Sequence, residues 1–359
     1  MGQAEHPKII VLCPLAKTGG PEALHQLVHV IRREKLAPAF IHYIPDSGSN
    51  SDVVKKYYAA RYDIEEIPAA GIRGNVLVFP EFIDPQLARS YHAEWNWVWW
   101  LSMQRKWPLH DYEGIGNLCQ SHYAASSLRI FGGTCLALSD YIAEEYKVGT
   151  APVEKEDVIV IGPKSLAYVF TLRKMLRGLR IVPLINLSPE EVRRWLCRAK
   201  IYLDFGWHPG RDRMPREAAL CDCLVVTNRL GAAADREDLP IDEQYKISRD
   251  KIVDAPGLLK ELLQNYSQHS QRFAAYKQWI SGDTERFTNE VRQFVGQCRN
   301  PGAFSAAQID PEVDSLLMLY QEECLYYRGQ VQSQVKLLGL LQALMPAAIA
   351  AKVLRLFRK

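Results

Sequence analysis

Tyr202-Leu203-Asp204-Phe205-Gly206-Trp207-His208-Pro209-Gly210-Arg211-Asp212-Arg213-Met214-Pro215-Arg216-Glu217-Ala218-Ala219 is the stretch of this 359-residue chain on which the fold turns. The apolar run Lys200 to Phe205 predicts a strand, Arg216 to Leu220 a helix with Pro215 near its start, and Leu224 to Thr227 a second strand. Strand, loop, helix and strand in that order make a parallel βαβ unit. In such a sheet ligands bind beyond the carboxyl ends of the strands, where this loop begins. From Asp204 to Ala218 it holds two glycines, two prolines and three arginines. Glycines permit close backbone approach, and arginines make charge-assisted contacts to phosphate oxygens. A helix starting near Pro215 aims free N–H groups and its positive dipole end at the same place. Glu217, in its first turn, either accepts bonds from two sugar hydroxyls or complements the dipole.

The pattern repeats in both directions. Upstream, Val158 to Ile161 predicts a strand ending at Lys164, Leu166 to Arg177 a basic helix closed by Gly178, and Ile181 to Ile185 another strand. Ser188-Pro189-Glu190-Glu191 is a capping signature that opens the next helix. Lys164 reaches the same carboxyl-end crevice as the arginine loop. Further back, strands are expected at Lys8–Pro14, Ala37–Ile44, Asn75–Phe79, Val98–Leu101 and Thr134–Leu138, and downstream residues 257–330 read as largely helical. Lys17-Thr18-Gly19-Gly20-Pro21 turns from the first strand into a helix, and Gly19 and Gly20 let a backbone approach a ligand. His25 lies one turn further on, as a base or as a structural residue. Glu81 ends its strand as Lys164 does. Trp95, Trp97, Trp99, Trp100 and Trp107 read as core strand and edge packing rather than a sugar platform.

These elements predict an α/β chain of two halves: residues 1–150, 151–300, a helical connection at 301–330, and a tail at 331–359. The composition, 48% hydrophobic and 24% charged, excludes a disordered or fibrous chain. The eight cysteines lack paired zinc-site spacing and read as buried free thiols of a reducing compartment. Ile9 to Ala16 is short for a signal-peptide core and has no cationic lead, so a cytoplasmic protein is expected. No D-x-D or H-x-H pattern occurs, so the expectation is no metal and no cofactor, with chemistry resting on arginine, lysine and helix dipoles.

The net charge is +3, but Val331 to Lys359 carries five basic and no acidic residues, leaving −2 for the rest. A charge this small gives no case for nucleic acid. Leu337 to Ala351 is apolar apart from Gln342 and too short to cross a bilayer, and a cationic end follows. Such a segment suits an anionic membrane surface or a docking face on the body or a partner.

The two-half layout resembles the GT-B glycosyltransferases, in which two Rossmann-like domains face each other across a cleft. Tyr202 to Gly206, Arg216-Glu217-Ala218-Ala219 and Leu224-Val225-Val226-Thr227 look like their donor region, and Thr18 to Leu24 and Ser139-Asp140-Tyr141 like parts of their amino-terminal half. The resemblance implies transfer of a sugar from a nucleotide-sugar donor. The tail, which suggests work at the inner membrane face, adds the expectation of a cell-envelope glycan or lipid-linked acceptor, and the missing metal patterns add that of a metal-independent reaction. By the resemblance Glu217 holds the donor ribose, while Lys164, Arg211, Arg213 and Arg216, with Gly19 and Gly20, are its binding residues. One departure stands out. Many members carry a glutamate eight positions before the second, and here that position is Pro209. Asp204 and His208 are the candidates to replace that glutamate, and with His25 as a base they make up the candidate catalytic groups. The departure equally motivates a non-catalytic sugar-binding or assembly subunit, and a nucleotide-sugar epimerase is a third reading.

Overall fold

The computed structural model describes residues 7–44, 51–130, 132–147, 153–165 and 176–298. The helix expected at Leu166 to Arg177, the connection at 301–330 and the basic tail lie wholly or mostly outside the described residues.

The chain divides into two compact units. The first contains a six-stranded sheet built from β1 (Ile9–Pro14), β2 (Ala39–Ile44), β3 (Val76–Pro80), β4 (Trp95–Trp100), β5 (Gly116–Cys119) and β6 (Leu136–Ala137). The order is β2-β1-β3-β4-β5-β6, and every pair is parallel. β1 and β3 are buried almost end to end, as expected for parallel strands covered on both faces. Trp97, Trp99 and Trp100 of β4 are core residues, while Trp95 at its start is exposed: Trp99 Nε1 donates to the Leu138 carbonyl at 2.8 Å and Trp100 Nε1 to Asn117 Oδ1 at 2.9 Å. An indole buried this deeply needs such a partner for its N–H.

The first unit is not one continuous stretch. It also takes in Pro209–Arg211 and the helix Asp283–Cys298. Phe287 and Phe294 of that helix pack on Trp99 and Trp97, with ring centroids 6.3 and 5.4 Å apart. The simple division at residues 150 and 300 is replaced by one in which a late helix closes an early core. Aromatic faces on β4 and on the helix both need burial, and they bury each other.

The second unit has a five-stranded parallel sheet of β7 (Glu156–Ile161), β8 (Arg180–Pro183), β9 (Ala199–Asp204), β10 (Leu224–Asn228) and β11 (Lys246–Ile247), in the order β11-β10-β9-β7-β8. The capping box at Ser188 is present in both directions and opens the helix Pro189–Arg198. Gly178 has φ +87, the left-handed conformation expected of it. The helix after the arginine loop runs Arg213–Leu220, starting before Pro215. A proline in the first turn costs no hydrogen bond, because that N–H has no helical acceptor. Lys155 fastens the far end of this helix: its ammonium donates to the carbonyls of Leu196, Ala199 and Cys221 at 3.1, 2.8 and 2.5 Å. The cation thereby satisfies carbonyl ends of two helices. The cysteines of the described residues are free, and most are buried. Among the described residues no helix is long and apolar enough to cross a membrane.

Candidate functional site

The carboxyl ends of β7, β9 and β10 in the second unit carry the site. β9 ends in Asp204, which is buried and held from three sides. Tyr202 donates its hydroxyl to Oδ2 at 2.8 Å, and Ser165 Oγ and the Gly206 N–H reach Oδ1 at 3.2 and 3.0 Å. Gly206 is required where it stands. A Cβ there would lie 2.1 Å from Cβ of Lys164, so only glycine lets the loop after β9 pass the lysine.

His208 follows, 2% exposed. Its Nδ1 lies 2.8 Å from Asp212 Oδ2, and Lys164 Nζ meets the same oxygen at 2.6 Å. Asp212 is the N-cap residue of the helix Arg213–Leu220, yet its side chain makes no capping bond. It serves His208 and Lys164 instead. Burial alone would lower the His208 pKa, but the Asp204 and Asp212 carboxylates outweigh burial and raise it. Burial would raise that of Asp212, and the Lys164 and His208 cations overcome this, holding its carboxyl well below the usual range. The charges of the row are therefore mutually supporting.

On the helix, Arg213 Nε and Glu217 Oε1 are 3.5 Å apart, with side chains 13% and 12% exposed. Lys164 and Asp212 have side chains 27% and 25% exposed. Lys164, Arg213 and Glu217 are thus the expected residues that keep part of their side chains exposed at these strand ends.

Other expected residues are placed differently. Asp204 and His208 are interior: both Asp204 oxygens accept hydrogen bonds, and His208 turns Nδ1 to Asp212. Arg216 is 1% exposed and turns back to donate to the Asp212 carbonyl at 3.4 Å, so it is a packing residue of the helix start. Arg211 belongs to the first unit, where its buried guanidinium pairs with Asp283 Oδ1 at 2.7 Å. A charge committed to a fully buried carboxylate is not offered to phosphate.

In the first unit, His25 is a core residue. It is 0% exposed and stacks on Tyr58 with ring centroids 3.7 Å apart. Nδ1 lies 2.6 Å from the Pro21 carbonyl, which can only accept, so Nδ1 carries the proton and Nε2 accepts from the Tyr43 hydroxyl at 2.8 Å. Desolvation lowers its pKa to about 4. Gly19 and Gly20 form the first turn of the helix Gly19–Arg33. A Cβ at Gly20 would make ordinary contact with Leu101, at 3.6 Å, so packing alone does not demand glycine there. Glu81 is buried, and Oε2 accepts the Leu101 N–H at 3.1 Å.

Sequence reasoning passed over Asp212, whose signal is the regular spacing Asp204-x3-His208-x3-Asp212 at a strand end. It passed over Ser165 too, which shows no signal, because only the turn after β7 brings it to Asp204.

Comparison with solved structures fits this architecture. Sucrose-phosphate synthase from Thermosynechococcus elongatus aligns with a TM-score of 0.60 at 9% identity, over 82% of this chain and 100% of that one. A glycosyltransferase from Rickettsia africae gives 0.58 at 9% identity, over 83% and 100%. HepE from Anabaena, solved with UDP-glucose, gives 0.57 at 9% identity, over 82% and 100%. The chain has the GT-B glycosyltransferase fold. No protein-family model and no curated protein matches the sequence. Within a GT-B chain, the strand ends described above lie in the carboxy-terminal of the two Rossmann-like units.

Proposed function

We propose that this GT-B protein is a glycosyltransferase that takes a sugar from a nucleotide-sugar donor and passes it to a cell-envelope glycan or lipid-linked acceptor. The observation that carries the reading is the grouping of Lys164, Arg213 and Glu217 at the carboxyl ends of β7 and β9, on or beside a helix start. Lys164 and Arg213 meet the donor phosphates, and Glu217 accepts the ribose hydroxyls. As the bond from sugar to phosphate breaks, negative charge grows on the leaving phosphate, and fixed cations there stabilise it. In this reading the two side chains supply that charge, and no divalent ion meets the phosphate. The first unit receives the acceptor, and the basic tail brings the protein to the anionic inner face of the membrane.

Structures with this fold include one solved with UDP-glucose, which supports the donor class. A second reading, a sugar-binding or assembly subunit without turnover, draws on Pro209, which stands where many members have a glutamate.

A thermal-shift panel of UDP, GDP, CMP and dTDP and their sugars tests both readings, on the wild type and on Glu217→Ala. A ligand at 100 times its Kd adds about 2.7 kcal/mol, a readily measured rise in Tm. One nucleotide family is expected to stabilise the wild type and to lose most of that effect in the variant. If none does, the transferase reading fails. Binding without transfer or hydrolysis of the sugar favours the second reading.

A further inference from the structure

The row Asp204, His208 and Asp212 leaves one atom unexplained. His208 Nε2 is buried and has no hydrogen-bond partner, and it faces Asp204 Oδ1 at 3.8 Å. That gap is too wide for a hydrogen bond, which needs about 3.5 Å or less. It is narrower than two metal–ligand bonds of about 2.0–2.2 Å laid end to end. A protonated ring leaves the two atoms as an ion pair without a hydrogen bond, and a metal ion in its place would bond to both. Each of the three residues offers a ligand atom, and these atoms lie within 4.8 Å of one another.

We propose that the second unit binds one divalent transition-metal ion, held by His208 Nε2 and Asp204 Oδ1, with Asp212 orienting the imidazole through Nδ1. The surroundings are already those of a ligand set. Asp212 accepts from Nδ1, which fixes the tautomer and turns the Nε2 lone pair towards Asp204, the arrangement of a carboxylate-supported metal histidine. Asp204 is locked by Tyr202, Ser165 and Gly206. The metal ion takes the place of the proton that the two carboxylates otherwise hold on the ring. With that proton gone, two carboxylates against the single Lys164 ammonium leave one net negative charge to face it. Thr227, directly across from Asp204 in the β9–β10 register, is a second buried residue whose hydroxyl lacks a partner. Imidazole with carboxylate suits zinc, cobalt or manganese rather than calcium or magnesium, which take oxygen donors.

The ion is a staple, not a phosphate ligand: it ties the end of β9 to the base of the loop, behind the face that carries Lys164. It departs from the expectation of a metal-free protein, which rested on the absence of D-x-D and H-x-H. The fold makes its set from D-x3-H-x3-D.

The test is equilibrium dialysis of the chelator-treated full chain against Zn2+ and Co2+, without nucleotide, so that it stands apart from the donor question. The wild type is expected to take up one equivalent. His208→Ala, checked for native circular dichroism, abolishes that uptake. Asp212→Asn, which alters only the support, weakens binding about 10–100-fold. Cysteine is the competing ligand, so Cys221→Ser is included and should bind as the wild type does. No uptake by the wild type at millimolar metal overturns the proposal. So does uptake unchanged in a folded His208→Ala protein, or lost in Cys221→Ser.

Discussion

His208 Nδ1 and Lys164 Nζ converge on a single oxygen of Asp212, at 2.8 and 2.6 Å. The lysine is the partly exposed end of that row and the one proposed to meet phosphate. Lys164→Met should weaken binding of the cognate nucleoside diphosphate at least about tenfold, near 1.4 kcal/mol, by isothermal titration calorimetry. An unchanged Kd would remove Lys164 from the donor site.

Gly206→Ala reaches the same lysine by another route. The added methyl carbon falls 2.1 Å from Lys164 Cβ, which is no flexible tip and cannot step aside alone. The expected result is a destabilisation of about 1–3 kcal/mol in urea unfolding. Nucleotide affinity should fall alongside it.

Arg211 and Asp283 form a buried pair in the first unit, and Asp283 is fully enclosed. Arg211→Met removes a charge whose partner stays inside. Arg286 remains beside Asp283 and softens the loss. A cost of about 3 kcal/mol is expected by denaturant titration. A cost below about 1 kcal/mol would mean the pair is dispensable.

Lys155 binds three carbonyls with one ammonium. Lys155→Met keeps the stem and removes the donor, so stability should fall by about 2–3 kcal/mol in the same assay. A double variant with Arg211→Met should be close to additive, since the two residues sit in different units.

Glu81 predicts a pH dependence. Burial pushes its carboxyl up to about 8, against the Leu101 and Ser102 N–H groups that favour the charged form. Between the ordinary glutamate value and about 8, the unfolded chain has released this proton and the folded chain has kept it. Stability from this group is therefore full in acid and is lost as pH rises through that window. Glu81→Gln should flatten this part of the wild-type pH–stability curve, measured by thermal melts from acid to mildly alkaline buffer.

Much of the fold was legible because long apolar runs, β1, β3 and β10 among them, have no other stable home than a covered parallel sheet. β5 was not. Gly116-Asn117-Leu118-Cys119 has no β-branched residue, and what makes it a strand is pairing with β4. Gly116 is glycine because the Trp97 ring lies over it, where a Cβ would come within 2.4 Å. That contact between distant residues leaves no trace in either local pattern. At the site, a charged loop after a strand was visible, and so were Lys164, Arg213 and Glu217. The sorting of those charges into outward and inward was not. Arg211 and Arg213 are two residues apart and read alike, yet Asp283, supplied 72 positions later, draws one of them into a core.

The helix Asp283–Cys298 has a consequence for how the protein is made. Its Phe287 and Phe294 cover Trp99 and Trp97, so the first unit emerges from the ribosome with those two tryptophans not yet covered by it. At ordinary synthesis rates the missing helix follows roughly ten to thirty seconds later, after the whole second sheet has been made. During that interval the nascent chain carries an aromatic surface of the kind chaperones bind. A truncated gene ending at residue 141 should yield an aggregating product rather than a small stable domain.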